Sequence, residues 1–140
     1  MTIEHTFNPS IENIHFLTSK LNEAAEGFQS VYPFGFFIKD ASKQIKAGVN
    51  GCIMYGVIYV DQLWVDVDYR KRGLGRQLME QAHLLGQKEG CSMATVCTMS
   101  FLGVEKFYES LGYKVDFVRL GYANGSSCIF LSKKLASISL

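Results

Sequence analysis

Two glycines, Gly73 and Gly75, stand two apart inside the cationic run Tyr69-Arg70-Lys71-Arg72-Gly73-Leu74-Gly75-Arg76. An apolar, strand-like stretch ending at Val67 precedes the run. Leu74, Leu78, Ala82 and Leu85 follow it at helical spacing. A chain built this way must pass from a strand through a tight turn into the start of a helix. Glycine lets backbone N–H groups approach a ligand closely, and the helix start adds the positive end of a dipole. The four cations add longer-range attraction for anions. The arrangement reads as a cradle for a pyrophosphate.

Spacing narrows which phosphate ligand fits. A dinucleotide-binding turn needs Gly-x-Gly-x-x-Gly, and its third glycine position is Leu78 here. A Walker loop needs Gly-Lys-Ser/Thr, which the chain lacks. The formal net charge is only +1, so no global field draws the protein to nucleic acid or to a membrane surface. The attraction for anions is local to the cradle.

The 140 residues fit a single domain spanning 1–140, and 48% apolar content supplies a core. Cys52, Cys91, Cys97 and Cys128 show neither zinc-knuckle nor redox-dithiol spacing and read as reduced thiols, with no metal site. Met1–Asn8 has no apolar signal core and no run is long enough to span a bilayer, so a cytoplasmic location is the simplest expectation.

Periodicity and turn residues give the order helix, three strands, helix, strand, helix, two strands. Asn8-Pro9 is expected to open the first helix as cap and first residue. Ile14, Leu17, Leu21, Ala24 and Phe28 mark its apolar stripe, and Tyr32-Pro33 its stop. Strands follow at Phe34–Lys39, Ile45–Met54 and Tyr55–Val67. A helix then runs to about Lys88, stopped by Gly90, followed by a strand at Cys91–Thr98. A short helix around Val104–Leu111 leads to strands Tyr113–Arg119 and Ser127–Lys133, joined through a turn at Asn124-Gly125. The fold class is α/β, a mixed sheet with helices packed on its faces.

Alternation along Val60–Val67 places Asp61, Leu63, Val65 and Val67 on one face and Gln62, Trp64 and Asp66 on the other. A ligand laid along this strand meets the Asp61 carboxylate at one end and the cradle at the other. His83 reads as a flank or core residue, and His5 and His15 have no partner pattern.

Leu63-Trp64-Val65 followed by Tyr69–Leu78 resembles the acetyl-CoA-binding motif of the GNAT superfamily of N-acetyltransferases. Arg70, Gly73 and Gly75 match its Gln/Arg-x-x-Gly-x-Gly/Ala pattern. Phe107-Tyr108-Glu109-Ser110-Leu111-Gly112-Tyr113 is similar to the family's second signature, Phe-Tyr-x-x-Leu-Gly-Phe/Tyr, at the family's separation. The resemblance implies a mostly antiparallel mixed sheet with helices on both faces and one splayed pair of strands. The acetyl thioester would sit in the splay. It also implies an enzyme that moves an acetyl group directly from acetyl-CoA to a primary amine on a small molecule or peptide, with no metal. The alternative is a non-catalytic module that binds or senses acyl-CoA. Either form is expected as a monomer or homodimer.

By the same resemblance, backbone groups of Leu63, Trp64 and Val65 pair with the pantetheine arm; strand alternation puts the Trp64 side chain on the opposite sheet face. Arg70, Lys71, Arg72, Gly73, Leu74, Gly75 and Arg76 bind the pyrophosphate. Tyr108 is the expected proton donor to the leaving sulfur, and Asp61 stands where the family often has its base. The chain departs from the family at Phe101 and Val104, where Asn and Ala are common, so the usual asparagine contact to the cofactor arm is missing. Cys97-Thr98-Met99-Ser100-Phe101 instead resembles a variant of small stand-alone members. The acceptor pocket is expected from the first helix, Phe34–Phe37 and Tyr122–Ser127. These stretches carry aromatics but no acidic cluster, which disfavours a polycation.

Overall fold

The computed structural model describes residues 1–28 and 30–138. Helix α1 (Ile11–Ala24) is followed by strands β1 (Tyr32–Lys39), β2 (Ile45–Met54) and β3 (Val57–Val65). Helix α2 (Leu74–Lys88), strand β4 (Met93–Met99), helix α3 (Glu105–Ser110) and strands β5 (Lys114–Arg119) and β6 (Cys128–Lys134) complete the chain. The strands form one sheet in the order β1-β2-β3-β4-β6-β5. All neighbours are antiparallel except β3 and β4. This is the expected mixed, mostly antiparallel α/β sheet.

A parallel pair needs a crossover, and α2 supplies it. Leu78, Met79, Ala82 and His83 recur at helical spacing and are buried. They meet Val49, Ile53, Ile58 and Val60 in one core, which Leu131 and the α3 residue Tyr108 extend. His83 is a core residue. Its Nε2 lies 2.7 Å from the Tyr113 hydroxyl, and burial, with the Lys133 charge adding, lowers its pKa to about 4.

Several boundaries differ from the sequence reading. The cap of α1 is Ser10, not Asn8: its hydroxyl accepts the Asn13 N–H at 3.2 Å, the third backbone donor of the helix. Asn8 lies outside the helix at φ 53°. Helix α1 ends at Ala24, well before Tyr32-Pro33, and those two residues open β1 instead. Proline is tolerated there because β1 is an edge strand. Tyr55 and Gly56 form the turn between β2 and β3, and β3 ends at Val65 rather than Val67. Asn124-Gly125 is a 3-10 turn within the β5–β6 connection, not a two-residue hairpin.

The apolar stripe of α1 is not packed. Leu17 and Leu21 are 59% and 65% exposed, and no residue of this helix is buried. The Asn22 side chain ties the helix to the body, donating to the Val31 carbonyl at 3.2 Å and accepting its N–H at 2.8 Å.

Candidate active site

The parallel pairing of β3 and β4 covers only Val57–Val60 against Met93–Val96. Beyond Val60 the two strands part. The cause lies on the other side of β3, where Gln62 pairs with Asn50 and Val60 with Gly51. Asp61 is therefore an extra residue without a cross-strand partner, a β-bulge, and bulges bend strands. Gly51 makes the bulge possible: a Cβ there would lie 1.8 Å from the Tyr59 carbonyl oxygen.

The bulge shifts the alternation, so the face assignment from the sequence is corrected. Asp61 does not share a face with Leu63 and Val65, which pack against the core. It sides with Tyr59, whose hydroxyl donates to Asp61 Oδ1 at 3.4 Å and lies 3.9 Å from Cys97 Sγ. Val67 has left the strand and is exposed in a 3-10 turn.

A cleft of about 1030 Å³ occupies the splay. Asp61 and Tyr108, both singled out from the sequence, line it. So do Leu63, Trp64, Val65, Arg70, Lys71, Gly73, Leu74, Gly75 and Arg76. Arg72 does not. Its guanidinium stacks 5.0 Å over the Tyr69 ring and donates to the Asp68 carbonyl at 3.2 Å. Trp64 is half exposed beside the cleft.

The edge of β3 presents backbone groups to this space. The Asp66 N–H bonds the Lys46 carbonyl at 2.8 Å, which makes the pair Val65–Ala47 a non-hydrogen-bonded one in the antiparallel ladder. The N–H and C=O of Val65, and by the two-residue repeat those of Leu63, point away from β2 toward the splay. Arg70 Nε takes the Val65 carbonyl at 2.9 Å and ties the loop to the strand end.

Asp66 caps the 3-10 turn Val67–Tyr69 by accepting the Asp68 N–H at 2.9 Å. The chain then turns through two left-handed residues, Lys71 (φ 62°) and Gly73 (φ 76°). Gly73 is the N-cap of α2 and offers no side chain to the first helical N–H groups. These donors remain for a ligand, at the positive end of a 15-residue helix. Arg76 leans on α3 through Ser110 Oγ at 3.2 Å.

Tyr108 stands across the splay on α3. It is 7% exposed, held edge-on by Phe107 and Tyr113 with centroids 5.2 and 5.7 Å away. No described residue hydrogen-bonds its hydroxyl. Burial raises its pKa, and the Cys97 thiol adds to the rise. Burial likewise raises the thiol of Cys97. Both groups are protonated at neutral pH. All four cysteines are free, and the described residues contain no cluster able to hold a metal ion.

Sequence reasoning missed two contributors. Tyr59 holds Asp61, and its only signal is a position two residues before it. Met99 joins the cleft wall two residues beyond Cys97. Of the expected acceptor segments, Tyr122, Ala123, Asn124 and Ser126 line a second hollow that shares Met99 with the cleft. Residues Phe34–Phe37 and α1 line neither space.

Residues 33–115 match the family model of the acetyltransferase (GNAT) domain. The chain belongs to the GNAT family of acetyltransferases. A curated relative, the blasticidin-S acetyltransferase of Streptomyces morookaense, is 31% identical over 93 residues, which are 66% of this chain and 68% of that protein. An acetyltransferase from Bacillus cereus ATCC 14579 superposes with a TM-score of 0.74 at 25% identity, covering 94% of this chain and 98% of its own. A Bacillus anthracis protein described as a streptothricin acetyltransferase was solved with acetyl coenzyme A bound. It shares the fold at a TM-score of 0.64 and 19% identity, over 79% of this chain and 65% of its own. GNAT membership makes the protein an acetyl-CoA-dependent acyltransferase. None of its described helices is long and apolar enough to cross a membrane.

Proposed function

We propose that this acyltransferase moves the acetyl group of acetyl-CoA directly onto a primary amine of a small molecule. One observation carries the reading. A single cleft holds the uncapped start of α2, the unpaired edge of β3, the Tyr108 hydroxyl and the Asp61 carboxylate. The fit to the donor rests on groups already described. The N–H groups from Lys71 to Arg76 would hold the pyrophosphate, and the Leu63 and Val65 backbone would take the pantetheine amides as an added strand would.

The amine nitrogen attacks the thioester carbonyl carbon, the carbon–sulfur bond breaks, and the nitrogen loses one proton. Asp61 accepts that proton, directly or through water, and Tyr59 orients its carboxylate. The Leu63 N–H, on the same edge and two residues nearer Asp61, points into the splay and supports the carbonyl oxygen as it gains charge. Tyr108 donates its hydroxyl proton or a hydrogen bond to the departing thiolate sulfur. Its raised pKa keeps that proton available at neutral pH. Cys97 is the one thiol among the described residues lining the cleft, and its raised pKa keeps it neutral, which supports transfer without an acetyl-enzyme. The small-molecule acceptor is supported by the blasticidin-S relative.

Initial rates measured with both substrates varied give intersecting lines, and intact mass after incubation with acetyl-CoA alone is unchanged. Parallel lines with an acetyl adduct at Cys97 overturn direct transfer.

A further inference from the structure

No hydrogen bond to a described residue fixes the Tyr108 hydroxyl, so its direction is set by whatever holds the ring. Two rings touch it. Phe107 is the preceding residue of α3 and moves with that helix, so it cannot orient Tyr108 against the rest of the fold. Tyr113 lies beyond the end of α3, its ring 5.7 Å away and inclined at 72°. An edge-on ring contact of this kind has a preferred geometry and passes on the orientation of its partner.

Tyr113 is itself anchored twice. Its N–H donates to the Tyr108 carbonyl at 3.1 Å, in the turn that Gly112 makes at φ 96°. Its hydroxyl lies 2.7 Å from His83 Nε2, deep in the core, with Tyr113 2% and His83 7% exposed. Burial lowers the pKa of the imidazole and raises that of the phenol, so both are uncharged near neutral pH. Neither is among the described residues that line the cleft.

Stability alone does not call for this pair. Two buried neutral groups that satisfy each other can be replaced by apolar ones of similar shape at little cost, because each loses its partner and its need for one together. What the hydrogen bond adds is direction. It ties the Tyr113 ring to α2, the helix whose first turn lines the cleft, and so gives Tyr108 a fixed reference outside α3.

Building on the proposed role of Tyr108 as proton donor, we infer that Tyr113 and His83 are positioning residues for the transfer: their hydrogen bond locks the Tyr113 ring, and that ring aims the Tyr108 hydroxyl at the sulfur. Neither touches a substrate, and both act through Tyr108.

The first test needs no turnover. Tyrosine labelled with ¹³C at Cζ gives each phenol its own NMR line, and the Tyr108 line is the one missing from Tyr108→Phe. It is expected to shift when coenzyme A is added. In Tyr113→Phe, which keeps the ring and removes the anchor, and in His83→Leu, the line moves and loses most of that response. An unchanged line and response in both variants overturns the inference. The second test reads coenzyme A release from acetyl-CoA with n-butylamine. Each variant is expected to lower kcat about tenfold, with the acetyl-CoA dissociation constant within about twofold of the parent. The combined Tyr113→Phe/His83→Leu variant leaves neither group unpaired, so its Tm returns toward the parent while its kcat stays low. Parental kcat in the combined variant makes the pair purely structural and overturns the inference. In a Tyr108→Phe background, Tyr113→Phe is expected to cost nothing further, since no hydroxyl is left to aim; a second tenfold loss there also overturns it. Where n-butylamine gives no turnover, the carbon line alone decides. If that line depends on the pair but Tyr108→Phe keeps parental kcat, the donor role fails and the positioning stands. If Tyr108→Phe is impaired but the line ignores the pair, the positioning fails and the donor role stands.

Discussion

The two walls of the cleft are built from different material. The wall proposed to hold the donor is mostly backbone: the edge of β3, the loop from Asp66 to Gly73, and the first turn of α2. The facing wall is side chains, with Asp61 on the bulge and Cys97 and Met99 on β4. Backbone recognition needs a particular local path, and a local path demands particular residues at fixed spacing. A side-chain pocket needs only that several distant positions meet, and each can change without disturbing the path of the chain.

Gly51 is where this division should break down, because the bulge it admits shapes both walls. Gly51→Ala would drive a Cβ into the Tyr59 carbonyl. The expected cost is about 3 kcal/mol or more by chemical denaturation, with loss of both donor binding and turnover. A variant as stable as the parent would show that the bulge does not depend on this close approach. Next in size is a paired contrast within the cleft. Tyr108→Phe is expected to lower kcat about a hundredfold, and Asp61→Asn to lower kcat/KM for the amine about tenfold. Calorimetry should find acetyl-CoA affinity nearly unchanged in both. A large loss of affinity in either variant would move that residue to the donor wall.

The smallest effect comes from outside both walls. His83 has a pKa of about 4 in the fold, below the ordinary value of 6.5. The unfolded chain therefore binds this proton first as pH falls. Its contribution to stability is complete above pH 6.5 and is lost between 6.5 and 4. The expected loss from pH 7.5 to 5.5 is about 1 kcal/mol, read as a fall in Tm that His83→Gln flattens. A pH-independent Tm over that range would contradict a neutral buried imidazole.

The same division explains what the sequence made legible. The run from Arg70 to Arg76 and the Phe107–Tyr113 signature are each short and contiguous, so both could be singled out in the sequence, and the family match covers both. Asp61 was found as a residue but placed on the wrong face, because strict alternation has no room for an inserted residue. The warning signs were a polar Asp61-Gln62 pair amid apolar alternation and a glycine in the preceding strand. Arg72 looked like one more cation of the cradle, yet the flat Tyr69 ring offers its guanidinium a closer partner. The second hollow is lined by both Phe101 and Tyr122, which lie on either side of β5 in the chain, and periodicity carries no information about such a meeting. The stripe of α1 identified a helix without identifying a surface for it to cover.

The splay has one more consequence. A sheet normally exposes strand edges only at its two margins, where they can be shortened, charged or deprived of a donor, as Pro33 removes one N–H from the start of β1. Here two further edges open in the middle of the sheet, and the β3 edge cannot be blunted without spoiling the place where a ligand must lie. Any molecule that fills the folded cleft, and does not bind the unfolded chain, closes those edges and stabilises the protein by mass action. The resistance of this fold to heat and to edge-to-edge association is therefore set partly by the concentration of its own substrate.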